Sequence, residues 1–153
     1  MNLSLLQLDH YAFTEQSLLH LSHGHVSLKD GYPSFEEAAF SSHVDFHPLQ
    51  TTGEPGEVQR YAVRLTIKAE PKDLEAPKFP YRMCFDVVGF FNGPGLPVDK
   101  REALIAVNGA SLLYGAVRET VLMMTSRSMG PALLLPSVKF DQLIQDMATI
   151  KVD

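Results

Sequence analysis

Apolar and polar residues alternate along much of the first 92 residues of the chain, which is the pattern of β-strands. In the clearest run, every second residue is apolar: Tyr61, Val63, Leu65 and Ile67. The residues that alternate with them are mostly polar: Arg60, Arg64, Thr66 and Lys68. A period of two with one polar face predicts a strand of an antiparallel sheet whose second face is wetted.

Two further runs predict neighbours for this strand. The run 79–91 has its apolar residues in phase at Phe79, Tyr81, Met83, Phe85 and Val87. The run 39–47 alternates through Phe40, Val44 and Phe46. The N-terminal stretch 3–21 fits either a strand or a helix, and its β-forming residues favour a strand for its first part. The chain therefore predicts four strands before residue 93.

After residue 97 the apolar spacing becomes helical. Residues 98–107 predict a short helix and residues 108–130 a longer one, which ends at Gly130 because Pro131 cannot continue it. A Leu-rich connection, 131–136, leads to a final short helix at 139–150. Strands followed by helices predict an α+β fold in a single domain over residues 1–153. We expect a four-stranded antiparallel sheet packed with a long helix and a short C-terminal helix.

Composition narrows the classes of function. The net charge is −5 and the 13 Lys and Arg residues are spread along the chain, which argues against a nucleic-acid partner. Cys84 is the only cysteine, so an intrachain disulfide is impossible and a reducing compartment is favoured. No apolar run reaches the roughly 18 residues of a membrane span, and the N-terminus lacks a signal-peptide pattern. We therefore predict a cytoplasmic protein without a membrane span.

The residues that could carry chemistry form no recognised motif. Two groups of histidines stand out: His20, His23 and His25, and His43 with His47. No cysteine or metal-binding motif lies near them, so polar surface histidines explain them better than a zinc site. No phosphate-binding or nucleophile motif is present. The sequence predicts no enzyme and no cofactor, and leaves a metal-binding or small-ligand-binding α+β protein as an alternative.

The second half of the chain is rich in apolar residues beside its loops. Phe90 and Phe91 are consecutive, so one of them must leave the core face of its strand. Methionines adapt to irregular partners, and Met129 precedes the Leu-rich connection. One hypothesis is a structural subunit whose apolar strip is a permanent interface. The other is a groove for varied apolar segments. Its candidate contact residues are Phe90, Phe91, Met129, Leu133, Leu134 and Leu135.

Residues 113–143 carry a specific pattern. The opening "LYGAVRE" contains Leu113, Tyr114, Arg118 and Glu119. The later matching positions are Arg127, Pro131, Leu133, Leu135, Val138, Phe140, Asp141 and Leu143. With this spacing the segment resembles the long-helix motif and following connection of the SecB family of export chaperones. Gly115, Ala116 and Gly130 stand where that family has Pro, Tyr and Phe.

The resemblance implies an ATP-independent holdase that binds unfolded polypeptides in an apolar groove and assembles as a homo-oligomer, a dimer of dimers. It implies that the six apolar candidates contact clients. It also implies that four residues support the long helix or a subunit interface: Tyr114, Arg118, Glu119 and Arg127. Two roles follow: protein export, with transfer to the translocase motor, or protection of an antitoxin in a toxin–antitoxin system. The family's motor-docking face is acidic, whereas Arg60, Arg64 and Lys68 occupy it here, which favours the chaperone role over motor docking.

Overall fold

The main element of the computed structural model is a four-stranded antiparallel sheet. The structure describes residues 6–21, 26–49, 60–93, 96–97 and 99–142. The sheet strands are β1 (Gln7–His20), β4 (Ala38–Leu49), β5 (Arg60–Pro71) and β6 (Tyr81–Asn92), in the spatial order β1-β6-β5-β4. Between β1 and β4 lie a small hairpin, β2 (Leu28–Lys29) with β3 (Tyr32–Pro33), and a 3₁₀ helix, Phe35–Glu37. One long helix follows the sheet, α1 (Arg101–Ser126). The predicted α+β fold is confirmed.

The alternation of residue types decides which sheet face forms the core. The predicted apolar stripe of β5 is at most 3% exposed: Tyr61, Val63, Leu65 and Ile67. The stripe of β6 is equally buried: Tyr81, Met83, Phe85 and Val87. The antiparallel register places Leu65 between Val44 of β4 and Val87 of β6. The apolar stripes therefore share the inner face of the sheet, and the polar positions form its outer face.

Helix α1 covers the inner face of the sheet, mainly over the central strands β5 and β6. Its buried positions recur every three or four residues, as an amphipathic helix requires. The apolar members of this stripe are Ile105, Ala106, Ala110, Leu113, Val117 and Val121. Both outer strands, β1 and β4, receive less cover from the helix. The core thus lies between α1 and the centre of the sheet.

The prediction of two helices, 98–107 and 108–130, is wrong, because α1 runs unbroken from Arg101 to Ser126. Gly109 does not interrupt the helix. A Cβ atom there would lie 3.1 Å from Val63 and 3.2 Å from Phe91, so glycine allows the helix to approach the sheet closely. The helix also ends at Ser126, four residues before Gly130. At this end the backbone N–H of Arg127 donates to the carbonyls of Met124 and Thr125.

The two ends of the chain differ in how far the structure tests them. The strand predicted in the N-terminal stretch is confirmed, and it extends from Gln7 to His20. The final helix predicted at 139–150 lies mostly outside the described residues, which stop at 142. That helix stays a prediction.

Candidate functional site

After α1 the chain turns back and runs along the helix as an extended segment, residues 131–140, here called the strap. At its start the Tyr81 hydroxyl donates to the Pro131 carbonyl at 2.6 Å. The Leu133 N–H then donates to Thr125 Oγ1 at 2.8 Å, inside the core. Both bonds involve the strap's backbone, so they hold its first part whatever side chains it carries.

Two residues one helical turn apart hold the middle of the strap. Arg118 Nε donates to the Leu135 carbonyl at 3.0 Å, and the Tyr114 hydroxyl donates to the next carbonyl, that of Pro136. Burial raises the pKa of Tyr114 to about 12, so its hydroxyl keeps the proton that it donates. The Tyr114 ring also packs edge-on against Phe140. Tyr114 and Arg118 therefore join α1 to the strap within one subunit.

The extended strap separates its three leucines into two sets. Leu133 and Leu135 are 0% exposed and belong to the hydrophobic core. Leu134 is half-buried and points away from the core. Consecutive residues of an extended chain point to opposite sides, so the three cannot line one wall. Leu133 and Leu135 are thus buried in the described fold, and Leu134 is the accessible leucine of the set; their contact with clients stays a prediction.

Leu134 faces a groove between the strap and the β2–β3 hairpin, with a volume of about 390 Å³. The hairpin turns at Asp30 and Gly31, whose φ angles of 54° and 86° are both positive, as a tight two-residue turn requires. Tyr32 beside the turn is 36% exposed. The groove is lined by Lys29, Asp30, Tyr32, Pro33, Ser34, Phe35, Glu36, Arg118, Leu134, Leu135 and Pro136. Its surface therefore combines apolar side chains with charges of both signs.

The hairpin side of this groove was not predicted from the sequence. Its apolar contributors are Tyr32 and Pro33 of the hairpin and Phe35 of the 3₁₀ helix that follows. The signal that could have found it is Asp30-Gly31, a dipeptide typical of two-residue hairpin turns. The paired strands have only two residues each, which is too short for any alternation to show.

The other predicted client-contact residues lie away from the groove. Phe91 is 0% exposed and packs in the core, and its contact with clients stays a prediction. Phe90 points to the outer face of the sheet, where its ring stacks on His10 with centroids 6.4 Å apart. Met129 is 99% exposed beyond the end of α1. Phe90 and Met129 are accessible, but they do not line the same surface as Leu134.

Glu119 and Arg127 were predicted to support the helix or a subunit interface. Both side chains are exposed, Glu119 on α1 and Arg127 just after it. Their role at an interface stays a prediction.

The histidines do not gather into a metal site within the described residues. His20 packs beside Tyr81, with ring centroids 5.5 Å apart, and His43 Nε2 lies 3.1 Å from Asp45 Oδ1. His23 and His25 lie outside the part of the chain that the structure describes. Within that part, no group of three or more His, Cys, Asp or Glu residues is placed to hold a metal ion.

Cys84 lies on the outer face of the sheet, with its Sγ 3.4 Å from a carboxylate oxygen of Glu15. Burial raises the pKa of the Cys84 thiol, and the neighbouring Glu15 raises it further. The thiolate is the reactive form of cysteine, so this environment disfavours nucleophilic chemistry.

Three arginines of the outer face are paired with acids. Arg60 Nε lies 3.7 Å from Asp9, and Arg82 Nε lies 3.6 Å from Glu70; both pairs are exposed. The strongest pair joins Arg64 to Asp86, where two guanidinium nitrogens contact the carboxylate at 2.5 to 3.0 Å. Such two-pronged contacts fix both groups in position. The outer face therefore carries several ion pairs between arginines and carboxylates.

The Arg64–Asp86 pair predicts an acid-sensitive contribution to stability. Hydrogen bonds from Arg64 hold the pKa of Asp86 below its ordinary value of 3.8. A carboxyl group with a lower pKa in the folded chain stabilises the fold above the unfolded pKa, and this contribution is lost as the pH falls through the folded value. We expect the Asp86→Asn variant to be less stable than the wild type near neutral pH, with the difference shrinking in acid. Urea unfolding at a series of pH values measures this, and a difference independent of pH would contradict it.

Comparison with known proteins finds similarity both in sequence and in fold. The chain is 28% identical over 90 residues to the protein-export protein SecB of Alcanivorax borkumensis, a match that covers 59% of this chain. A SecB-like chaperone of Mycobacterium tuberculosis, solved in complex with a ChAD peptide from the HigA1 antitoxin, has a TM-score of 0.57. That alignment covers 88% of each chain at 14% identity. The chain is SecB-like.

The predicted resemblance to SecB is therefore confirmed in sequence and in fold. The match spans 57% of the Alcanivorax protein, little more than half of its length. No family model matches the chain. Within the described residues, no helix of this SecB-like chain is long and apolar enough to cross a membrane.

Proposed function

We propose that this SecB-like chain is an ATP-independent holdase that binds unfolded or non-native polypeptides in the groove between the strap and the β2–β3 hairpin. The observation that carries the proposal is the position of Leu134, an apolar side chain facing a groove from a strap that is fixed on its other side. Tyr32 and Phe35 add apolar surface opposite it. Folded clients bury the residues that would fill this groove, so it selects chains that have not folded.

Holding requires no chemistry in this scheme, and we propose no catalytic role and no cofactor. A partner that binds the unfolded form of a client, and not its folded form, shifts the client's folding equilibrium by mass action. The effect depends on the concentration of the chaperone relative to its dissociation constant. Release follows when the client is diluted, folds or passes to another partner.

Two classes of client fit a SecB-like groove: an antitoxin, or a preprotein on its way to export. The fold neighbour from M. tuberculosis was solved with an antitoxin peptide. On the outer face of this chain, Asp9, Glu70 and Asp86 are engaged by arginines, so these three carboxylates are not free for a basic docking partner. We therefore place antitoxin protection first and export second. Direct binding of the translocase motor to the client-free protein would reverse that order.

We also propose that the protein is cytoplasmic and forms a homo-oligomer, a dimer of dimers. Its apolar side chains at the edge strand and on the open side of α1 are incompletely covered: Leu8, Tyr11, Leu112 and Met123. Contact with a second copy would remove this surface from water. A monomeric mass by light scattering at micromolar concentration would contradict the proposal.

A charged residue in the groove tests the holdase proposal. We expect Leu134→Asp to fold normally but to need at least about tenfold more protein to suppress aggregation of a reduced, unfolded client, because the carboxylate would be desolvated by the bound segment. Light scattering of the client in the absence of nucleotide measures the effect.

Leu74→Asp is the matched control, since Leu74 is 58% exposed and does not line the groove. It should protect the client as well as the wild type does. Failure of the wild type to protect at excess would overturn the proposed function. An equal loss of client protection in both variants would indicate that clients bind outside the groove.

A further inference from the structure

Arg118 is the fixed cation of the groove. Its Nε donates to the Leu135 carbonyl, which holds the guanidinium against the strap. Among the residues that the structure describes, its two terminal nitrogens have no hydrogen-bond or ion-pair partner. The side chain is half-buried and lines the groove. Four N–H donors of a permanently charged group are thus available to whatever occupies the groove.

The remaining charges of the groove lie on the hairpin side and are held less firmly. Lys29, Asp30 and Glu36 are exposed, and their side chains form no ion pair within the described residues. Exposed side chains of this kind are screened by solvent and contribute little to a fixed recognition pattern. Arg118 differs because one of its nitrogens is already anchored, so less conformational entropy is lost when the others bind.

The free edge of the guanidinium has the geometry of a carboxylate receptor. With Nε engaged, Nη1 and Nη2 form an end-on fork that can donate to the two oxygens of a carboxylate. The anchoring carbonyl belongs to Leu135, the neighbour of Leu134 on the strap. An apolar side chain packed on Leu134 would therefore bring an adjacent residue of the same client close to the fork.

We propose that Arg118 makes the groove selective for client segments in which an apolar anchor is directly adjacent to an acidic side chain. This inference rests on the proposed function, since it requires that the groove binds polypeptide. To that function it adds a statement of which client sequences the groove prefers. The selectivity should weaken with added salt, because a half-exposed charge is screened.

Two labelled peptides test the proposal on the full-length protein. Both carry leucine at alternate positions, and they differ only in having Glu or Gln beside the central leucine. We expect the wild type to bind the Glu peptide about three- to tenfold more tightly than the Gln peptide, as measured by fluorescence anisotropy. In Arg118→Gln the ratio should fall to about one, even if the loss of the bond to the strap weakens the binding of both peptides.

Two further variants complete the test. Arg127→Gln removes an exposed arginine that does not line the groove, and it should keep the wild-type ratio. Arg118→Lys keeps the charge but not the fork, and it should reduce the ratio if Arg118→Gln does not fold. Equal binding of both peptides by the wild type would overturn the inference and leave the holdase standing. Preference that survives in both Arg118 variants would also overturn it. Binding of neither peptide would overturn the proposed function itself.

Discussion

The Phe91→Ala variant should lose about 3–5 kcal/mol of its free energy of unfolding, the cost of removing a fully buried aromatic side chain. Phe91 packs between the sheet and the helix: a Cβ atom added at Gly89 or Gly109 would lie 2.8 Å or 3.2 Å from its ring. The two glycines leave room for that ring, so its removal opens a cavity at the centre of the core. A loss of this size is a large part of the stability of a small domain.

Phe90→Ala is the matched control for this variant, because it removes the same side chain one position earlier. Phe90 lies on the outer face, half-buried against His10, so its loss should cost much less than that of Phe91. Urea unfolding followed by circular dichroism compares the two variants. Equal losses would show that the sheet faces have been assigned incorrectly.

Leu133→Ala should lower the free energy of unfolding by about 2–5 kcal/mol, whereas Leu134→Ala should lower it by no more than about 1 kcal/mol. Leu133 is 0% exposed and follows directly from the point where Tyr81 and Thr125 hold the strap. Leu134 faces the groove and leaves no cavity when shortened.

The same pair should behave in the opposite way in a client-holding assay. At a temperature where both variants are folded, Leu134→Ala should protect an unfolded client less well than Leu133→Ala does. Thermal melts provide the check that both are folded. A Leu134→Ala variant as unstable as Leu133→Ala would mean that the strap does not have the alternation described above.

The sheet could be predicted from the sequence because each strand is long enough to repeat its pattern. Tyr61 to Ile67 and Phe79 to Val87 alternate over several residues, and burial on one face is the sole arrangement that satisfies such a pattern. The resemblance in residues 113–143 likewise identified the SecB-like character, which the comparisons support.

The groove could be predicted only in part. The sequence pointed to the connection after the long helix, but it did not show that this connection is extended, because no periodicity is visible in three consecutive leucines. Its conformation is imposed from outside: the Leu133 N–H donates to Thr125, and Arg118 and Tyr114 donate to carbonyls of the strap. Contacts between residues distant in sequence decide such a segment, and local propensity carries little information about them.

The apparent break in α1 has a similar cause. Asn108 and Gly109 suggest a helix boundary when neighbouring residues alone are considered. Packing overrides this preference, because the absence of a side chain at Gly109 lets the helix sit close to Val63 and Phe91. The energy gained by burying the helix against the sheet exceeds the modest cost of glycine in its interior.

The way in which the strap is attached has a consequence for the evolution of the protein. Positions 132 and 134 are half-buried, and they alternate with Leu133 and Leu135, whose backbone groups are hydrogen-bonded to α1. Mutations there can accumulate with little penalty to the architecture, so under the proposed function descendants of one ancestral gene could diverge in the sequences they bind while retaining the same scaffold.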